Sequence, residues 1–127
     1  MNDLKARTKE FGLRVIRLVE TLPKSRTADV LGRQLLRAAT SVGANYRAAC
    51  RGRSAAEFLA KLGIVEEEAD ESAYWIEMLT DAGLVKTSLV EPLLREANEL
   101  TAIIVSSIKT SRRNAQKKQP APKRYET

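Results

Sequence analysis

The 127-residue sequence contains no histidine and a single cysteine, Cys50. Without histidine there is no imidazole base for proton transfer, no Cys/His metal cluster, and none of the Glu-x-x-His pairs that hold metals inside helical bundles. One cysteine allows no disulfide within the chain. Enzymatic activity, a metal and a cofactor are therefore not expected, and the clustered Glu66, Glu67, Glu68, Asp70 and Glu71 read as a solvated or arginine-paired face. No apolar run approaches the roughly eighteen residues of a membrane span, so no membrane partner is expected. A lone thiol and the lack of a leader segment suit the reducing cytoplasm, the expected location. No stretch alternates polar and apolar residues over the length of a strand, which leaves no sheet.

What is abundant is charge, and it is unevenly placed. Residues 1–53 hold 12 Lys and Arg against 4 Asp and Glu, residues 54–108 hold 3 against 11, and residues 109–127 hold 7 against 1. The first two blocks cancel, so the net +6 resides in the tail. Such polarity argues for complementary packing within the body and an anionic partner for the tail.

The apolar residues that remain fall on helical periods. Phe11, Val15, Leu18 and Leu22 form one stripe of a helix over about 3–22, which Pro23 cannot continue. Thr27 is the expected N-cap of a second helix, about 28–51, with Asp29 near the positive end of its dipole and Leu31, Leu35, Ala38, Val42 and Ala49 along one face. Gly52 ends it. Ser54 to Glu57 is a capping box that opens a third helix, about 55–82, burying Phe58, Leu62, Val65, Ala69, Ser72, Ile76 and Leu79. Gly83 closes that helix, and Ser88 to Glu91 repeats the box ahead of a fourth, about 89–115. Its stripe is Leu89, Leu93, Ala97, Leu100, Ile104 and Ile108, and Pro92 is tolerable only near the first turn. Residues 116–127 carry Pro, Lys and Arg with almost no apolar residues, the composition of a mobile basic tail. Four helices with short connections give an all-α, antiparallel up-down-up-down four-helix bundle in a single domain.

Two further faces are richer in small residues than solvent requires. One holds Gly32, Leu36, Ala39, Gly43, Tyr46 and Cys50 on the second helix; the other holds Ala56, Ala60, Gly63, Glu67, Tyr74 and Met78 on the third. Mid-helix glycine costs about 1 kcal/mol against alanine, so close approach by another helix is the natural reason for it. That helix belongs either to the same bundle or to a second copy of the chain, and sequence leaves both open. Cys50 reads as a packed thiol. Tyr74 and Trp75 cannot both face the core, so one of them packs at a seam and bonds through its polar edge.

Arg33, Arg37, Arg47 and Arg51 share about 80° of the second helix, and Arg53 continues the row. Guanidinium forks suit phosphate oxygens, so the row could follow a nucleic-acid backbone. It could instead pair with the glutamates of the third helix or of a neighbouring subunit, which the opposite charges of the two halves favour. In the tail, Lys109, Arg112, Arg113, Lys117, Lys118, Lys123 and Arg124 form an arm able to neutralise phosphates without reading bases, with Tyr125 available to stack. The alternative for this arm is an inert solubilising extension.

The run from LPK through LGRQLLRAATSVGANYRAACRGRSAAEFLAKLGIVEEEADESAYWIEML resembles the four helix bundle protein family, which includes proteins encoded in intervening sequences of bacterial 23S ribosomal RNA genes. The likeness covers roughly residues 11–108 and is most specific from Gln34 to Phe58. It implies a four-helix bundle assembling as a ring-shaped homopentamer, in a family for which no enzymatic activity is established. It further implies kinship with the accessory variability protein of diversity-generating retroelements, which works with a reverse transcriptase and binds nucleic acid. Two functions follow as expectations: an oligomer that binds RNA or DNA without sequence specificity, as an accessory to RNA or reverse-transcription machinery, or a protein-interaction scaffold with no nucleic-acid role.

Overall fold

The computed structural model describes residues 3–118, and these form four helices with no strand: α1 (Asp3–Glu20), α2 (Arg26–Cys50), α3 (Ala55–Asp81) and α4 (Thr87–Lys118). The chain is thus an all-α bundle of four helices. Its core is one continuous cluster running from Phe11 and Val15 through Leu35, Val42, Leu62, Val65, Ile76 and Leu79 to Leu100 and Ile104. Each of these is fully buried.

Local chemistry fixes the ends. After Glu20 the chain tightens into bonds from Thr21 N to Leu18 O and from Leu22 N to Val19 O, and Pro23 prevents any continuation. The N-cap of α2 is Ser25, whose hydroxyl accepts from Ala28 N at 3.2 Å, and not the expected Thr27. Starting at Arg26 places Ala28 among the buried residues. Ser54 caps α3 as expected, accepting from Glu57 N at 3.1 Å, while the Glu57 carboxylate accepts from Arg53 N at 2.6 Å. Gly83, at φ +72°, closes α3 with Leu84 N bonded to Leu79 O and Gly83 N to Thr80 O. This is the Schellman arrangement, whose left-handed residue glycine adopts without strain.

The start of α4 differs from the sequence expectation. The helix begins at Thr87, which leaves Ser88 inside the first turn and the Ser88–Glu91 box unused as a start. Leu89 is consequently 64% exposed, and Val90 heads the buried stripe with Leu93 and Ala97. Pro92 lies on the exposed side just past the first turn. At the other end α4 runs to Lys118, three residues beyond the expected limit.

The small-residue face of α2 lies against α1. A Cβ at Gly43 would stand 3.3 Å from Thr8 O and 3.4 Å from Lys9 N, and one at Gly32 would meet Leu22 and Val19. Ala39 and Tyr46 are buried, and Leu36 and Cys50 are half-buried. Within this set the close neighbour is therefore the chain itself. The corresponding face of α3 is open: Ala56, Ala60 and Tyr74 are exposed, and a Cβ at Gly63 would meet nothing within 4 Å.

Candidate nucleic-acid interface

The arginine row of α2 divides in two. Arg33 pairs with Asp29 one turn before it, at 3.2 Å. Arg37 reaches across to α3, where its Nη2 donates to Glu71 at 2.6 Å and its Nη1 lies 3.7 Å from Glu68. Glu71 accepts also from Trp75 Nε1 at 3.2 Å, so the polar edge of that ring is spent on the same carboxylate. Tyr74 stays outside and meets Trp75 edge-on, with ring centroids 5.0 Å apart. Glu68 Oε2 is buried and accepts no hydrogen bond among the described residues. Burial pushes the Glu68 carboxyl above the ordinary glutamate range, and the neighbouring Arg37 charge partly opposes the shift.

Arg47, Arg51 and Arg53 have no such partners. All three are exposed, and none forms an ion pair among the described residues. For Arg51 and Arg53 the reason lies in the facing helix. The first turns of α3 offer Glu57 alone, and its carboxylate is turned back onto the Arg53 backbone N–H. The acids that neutralise Arg37 sit eleven and more residues further along α3.

Beside Arg47 the surface sinks into a groove of about 400 Å³ between α1 and α2. Gly12, Leu13, Ile16, Thr40, Gly43 and Ala44 line it, and Lys5, Lys9 and Arg47 bring cations to it. Lys5 and Lys9 lie off the apolar stripe of the first helix and were not singled out from the sequence. Their spacing of four, which puts both on one face of a helix, is the signal that could have singled them out.

Lys109, Arg112, Arg113 and Lys117 are exposed on the last turns of α4, likewise without an ion pair among the described residues. Lys118 ends that helix. Lys123, Arg124 and Tyr125 lie outside the described residues. The described residues hold no group of three or more His, Cys, Asp or Glu able to ligate a metal, and no helix long and apolar enough to cross a membrane. The exposed guanidinium and ammonium groups of this surface have the chemistry that suits an anion.

Comparison with known proteins gives the same architecture. Residues 2–106 match the family model described as 23S rRNA-intervening sequence protein. A solved structure of a protein of unknown function from the S23 ribosomal protein family of Bacteroides thetaiotaomicron is similar, with 33% sequence identity and a TM-score of 0.78. The match covers 84% of this chain and 98% of that one. No curated protein matches the chain.

Proposed function

We propose, from the premise that this chain belongs to the 23S rRNA-intervening sequence protein family, that it is a non-enzymatic cytoplasmic homo-oligomer binding RNA or DNA without sequence specificity through one basic end of the subunit. The carrying observation is the division of the cations. Arg33 and Arg37 are neutralised inside the subunit, whereas Arg51 and Arg53 at the α2–α3 turn, and Lys109, Arg112, Arg113 and Lys117 near the end of α4, are exposed and form no ion pair among the described residues.

An antiparallel up-down-up-down course supports bringing these two groups together. Thr8 and Lys9 near the start of α1 touch Gly43 late in α2, and Val19 and Leu22 near its end touch Gly32 early in α2. Helices α3 and α4 pack side by side across a connection of only residues 82–86, so α4 returns along α3 toward the α2–α3 turn. The unpaired cations then share one end of the bundle, and an oligomer, such as the homopentameric ring that the family resemblance implies, multiplies that end.

The test is retention of a labelled RNA or DNA oligonucleotide by the full chain at low salt, compared with a variant carrying Arg51→Ala, Arg53→Ala, Arg112→Ala and Arg113→Ala. All four positions are exposed, so the fold is expected to survive. Binding that weakens at least tenfold supports the proposal. An intact protein that retains no nucleic acid overturns it in favour of a protein-interaction scaffold.

A further inference from the structure

The groove between α1 and α2 and the open face of α3 are complementary, and we infer that they are the two halves of one contact between copies of this chain. This rests on the reading that copies associate, and adds which surfaces meet.

The groove is concave and mostly apolar, with Lys5, Lys9 and Arg47 as its charged groups and no acid among its lining residues. Leu13 and Ile16 are each 39% exposed there and lie one helical turn apart, so together they form one apolar strip along the groove. The face of α3 is a ridge of the opposite character. Ile64 is 36% and Tyr74 51% exposed, the Gly63 position stands in open space, and Glu67 and Asp70 are exposed acids without an ion pair among the described residues. Both surfaces are left unfilled by the subunit's own helices.

The spacing of charge and apolar bulk matches as well. On α1, Lys9 precedes Leu13 by four residues and Ile16 by seven; on α3, Asp70 precedes Tyr74 by four and Glu67 precedes it by seven. Helices repeat every 3.6 residues, so α1 carries one charge with apolar side chains one and two turns beyond it, and α3 carries two charges one and two turns before one apolar side chain, each series spanning about 10 Å. An α3 ridge laid along α1 of another copy can thus set Glu67 and Asp70 against Lys5, Lys9 and Arg47 while Tyr74 covers Leu13 and Ile16. Charges of opposite sign beside apolar contact give such a pairing both orientation and affinity.

The two halves lie on different faces of the subunit. The contact is therefore heterologous, head to tail, and repeats around a ring or along a filament and not as an isolated two-fold pair. The polarised charge of the body suits the same arrangement, because the basic first half of one copy meets the acidic second half of the next.

The experiment measures mass in solution by light scattering for the full chain, for Lys9→Glu with Arg47→Glu, for Glu67→Lys with Asp70→Lys, and for an equimolar mixture of the two variants. All four residues are exposed, and a thermal melt confirms folding of each variant. The expected result is an oligomeric parent, a tenfold or greater weakening of assembly in each variant alone, and partial recovery in the mixture, where intact or doubly reversed charges meet wherever the two variants alternate, as they can at all but one contact of a five-membered ring. A monomeric parent overturns both this contact and the oligomeric reading. An oligomer whose mass neither variant changes overturns the contact alone. So does a groove variant that loses oligonucleotide binding while its mass is unchanged, which would give the groove to nucleic acid.

Discussion

Arg7, near the start of α1, closes on Glu96 of α4 with two prongs of its guanidinium: Nε donates to one carboxylate oxygen and Nη2 to the other, each at 2.8 Å. Nη2 also donates to Glu99 at 3.1 Å. These bonds hold the guanidinium well above its ordinary pKa, so Arg7 is charged at every accessible pH. The clamp matters because α1 meets α4 far less than it meets α2, and side chains here bridge what backbone packing leaves open.

Arg7→Ala is expected to lower stability by roughly 1–2 kcal/mol, the scale of hydrogen bonds to charged groups at a half-buried site. Arg7→Lys restores the charge without the planar fork and recovers only part of the loss. Chemical denaturation of both variants measures the difference. Equal stability of Arg7→Ala and the parent would show that the clamp contributes nothing.

Two glycines on the α1–α2 seam should respond in opposite directions. A Cβ at Gly12 meets its nearest neighbour, Ala39 O, at 3.7 Å, an ordinary contact. Gly12→Ala therefore gains helix propensity and stabilises by up to about 1 kcal/mol. At Gly43 the neighbours are backbone atoms of Thr8 and Lys9 at 3.3–3.4 Å, held by their own helix. Gly43→Val forces the helices apart and costs about 1–3 kcal/mol. Melting temperatures of the two variants are expected on either side of the parent's.

The fold was legible because several levels of signal agree. The Ser54 cap, the Gly83 stop and the stripes of α2 and α3 each specify the same helices. Where signals were short or duplicated, the reading slipped. Ser25 and Thr27 are both hydroxyl residues at plausible cap positions, and only the burial of Ala28 separates them. The Ser88–Glu91 box is a four-residue pattern, and placing Val90 in the core outweighed it. For the site, a charge count cannot tell which arginine faces which acid. Arg37 lies within reach of Glu68 and Glu71, whereas Arg51 and Arg53 face the start of α3 and its lone Glu57. The two small-residue faces likewise look alike in one dimension. They part company in three, because α1 covers that of α2, whereas among the described residues Ala56, Ala60 and Tyr74 of α3 stay exposed and a Cβ at Gly63 meets nothing within 4 Å.

Glu68 predicts a pH dependence. A carboxyl whose folded-state pKa is raised favours folding while it is neutral; that contribution is complete below the unfolded value and is lost as pH rises through the folded one. Stability due to Glu68 should therefore fall across the mildly acidic range as pH increases. Glu68→Gln removes this slope. Arg37→Gln should do the reverse, since Arg37 holds the Glu68 shift down, and its loss moves the fall to higher pH. Melting temperature against pH for the parent and the two variants checks both signs.

The division of the arginines also predicts how binding depends on salt. Each phosphate neutralised on a nucleic acid releases condensed counterion, and the slope of log affinity against log salt falls by about 0.7–0.9 for every such contact. Arg33 and Arg37 already have carboxylate partners, so a phosphate must compete with Asp29 and Glu71 for them. Arg51 and Arg53 are exposed and form no ion pair among the described residues, so a phosphate there competes with no described carboxylate. Replacing Arg51 or Arg53 with Gln should therefore shallow the slope by about one unit each, while Arg33→Gln leaves it unchanged. Filter binding or fluorescence anisotropy at several salt concentrations gives these slopes. An Arg33→Gln slope as shallow as that of Arg51→Gln would mean that the whole row, salt-bridged members included, lies on the nucleic acid.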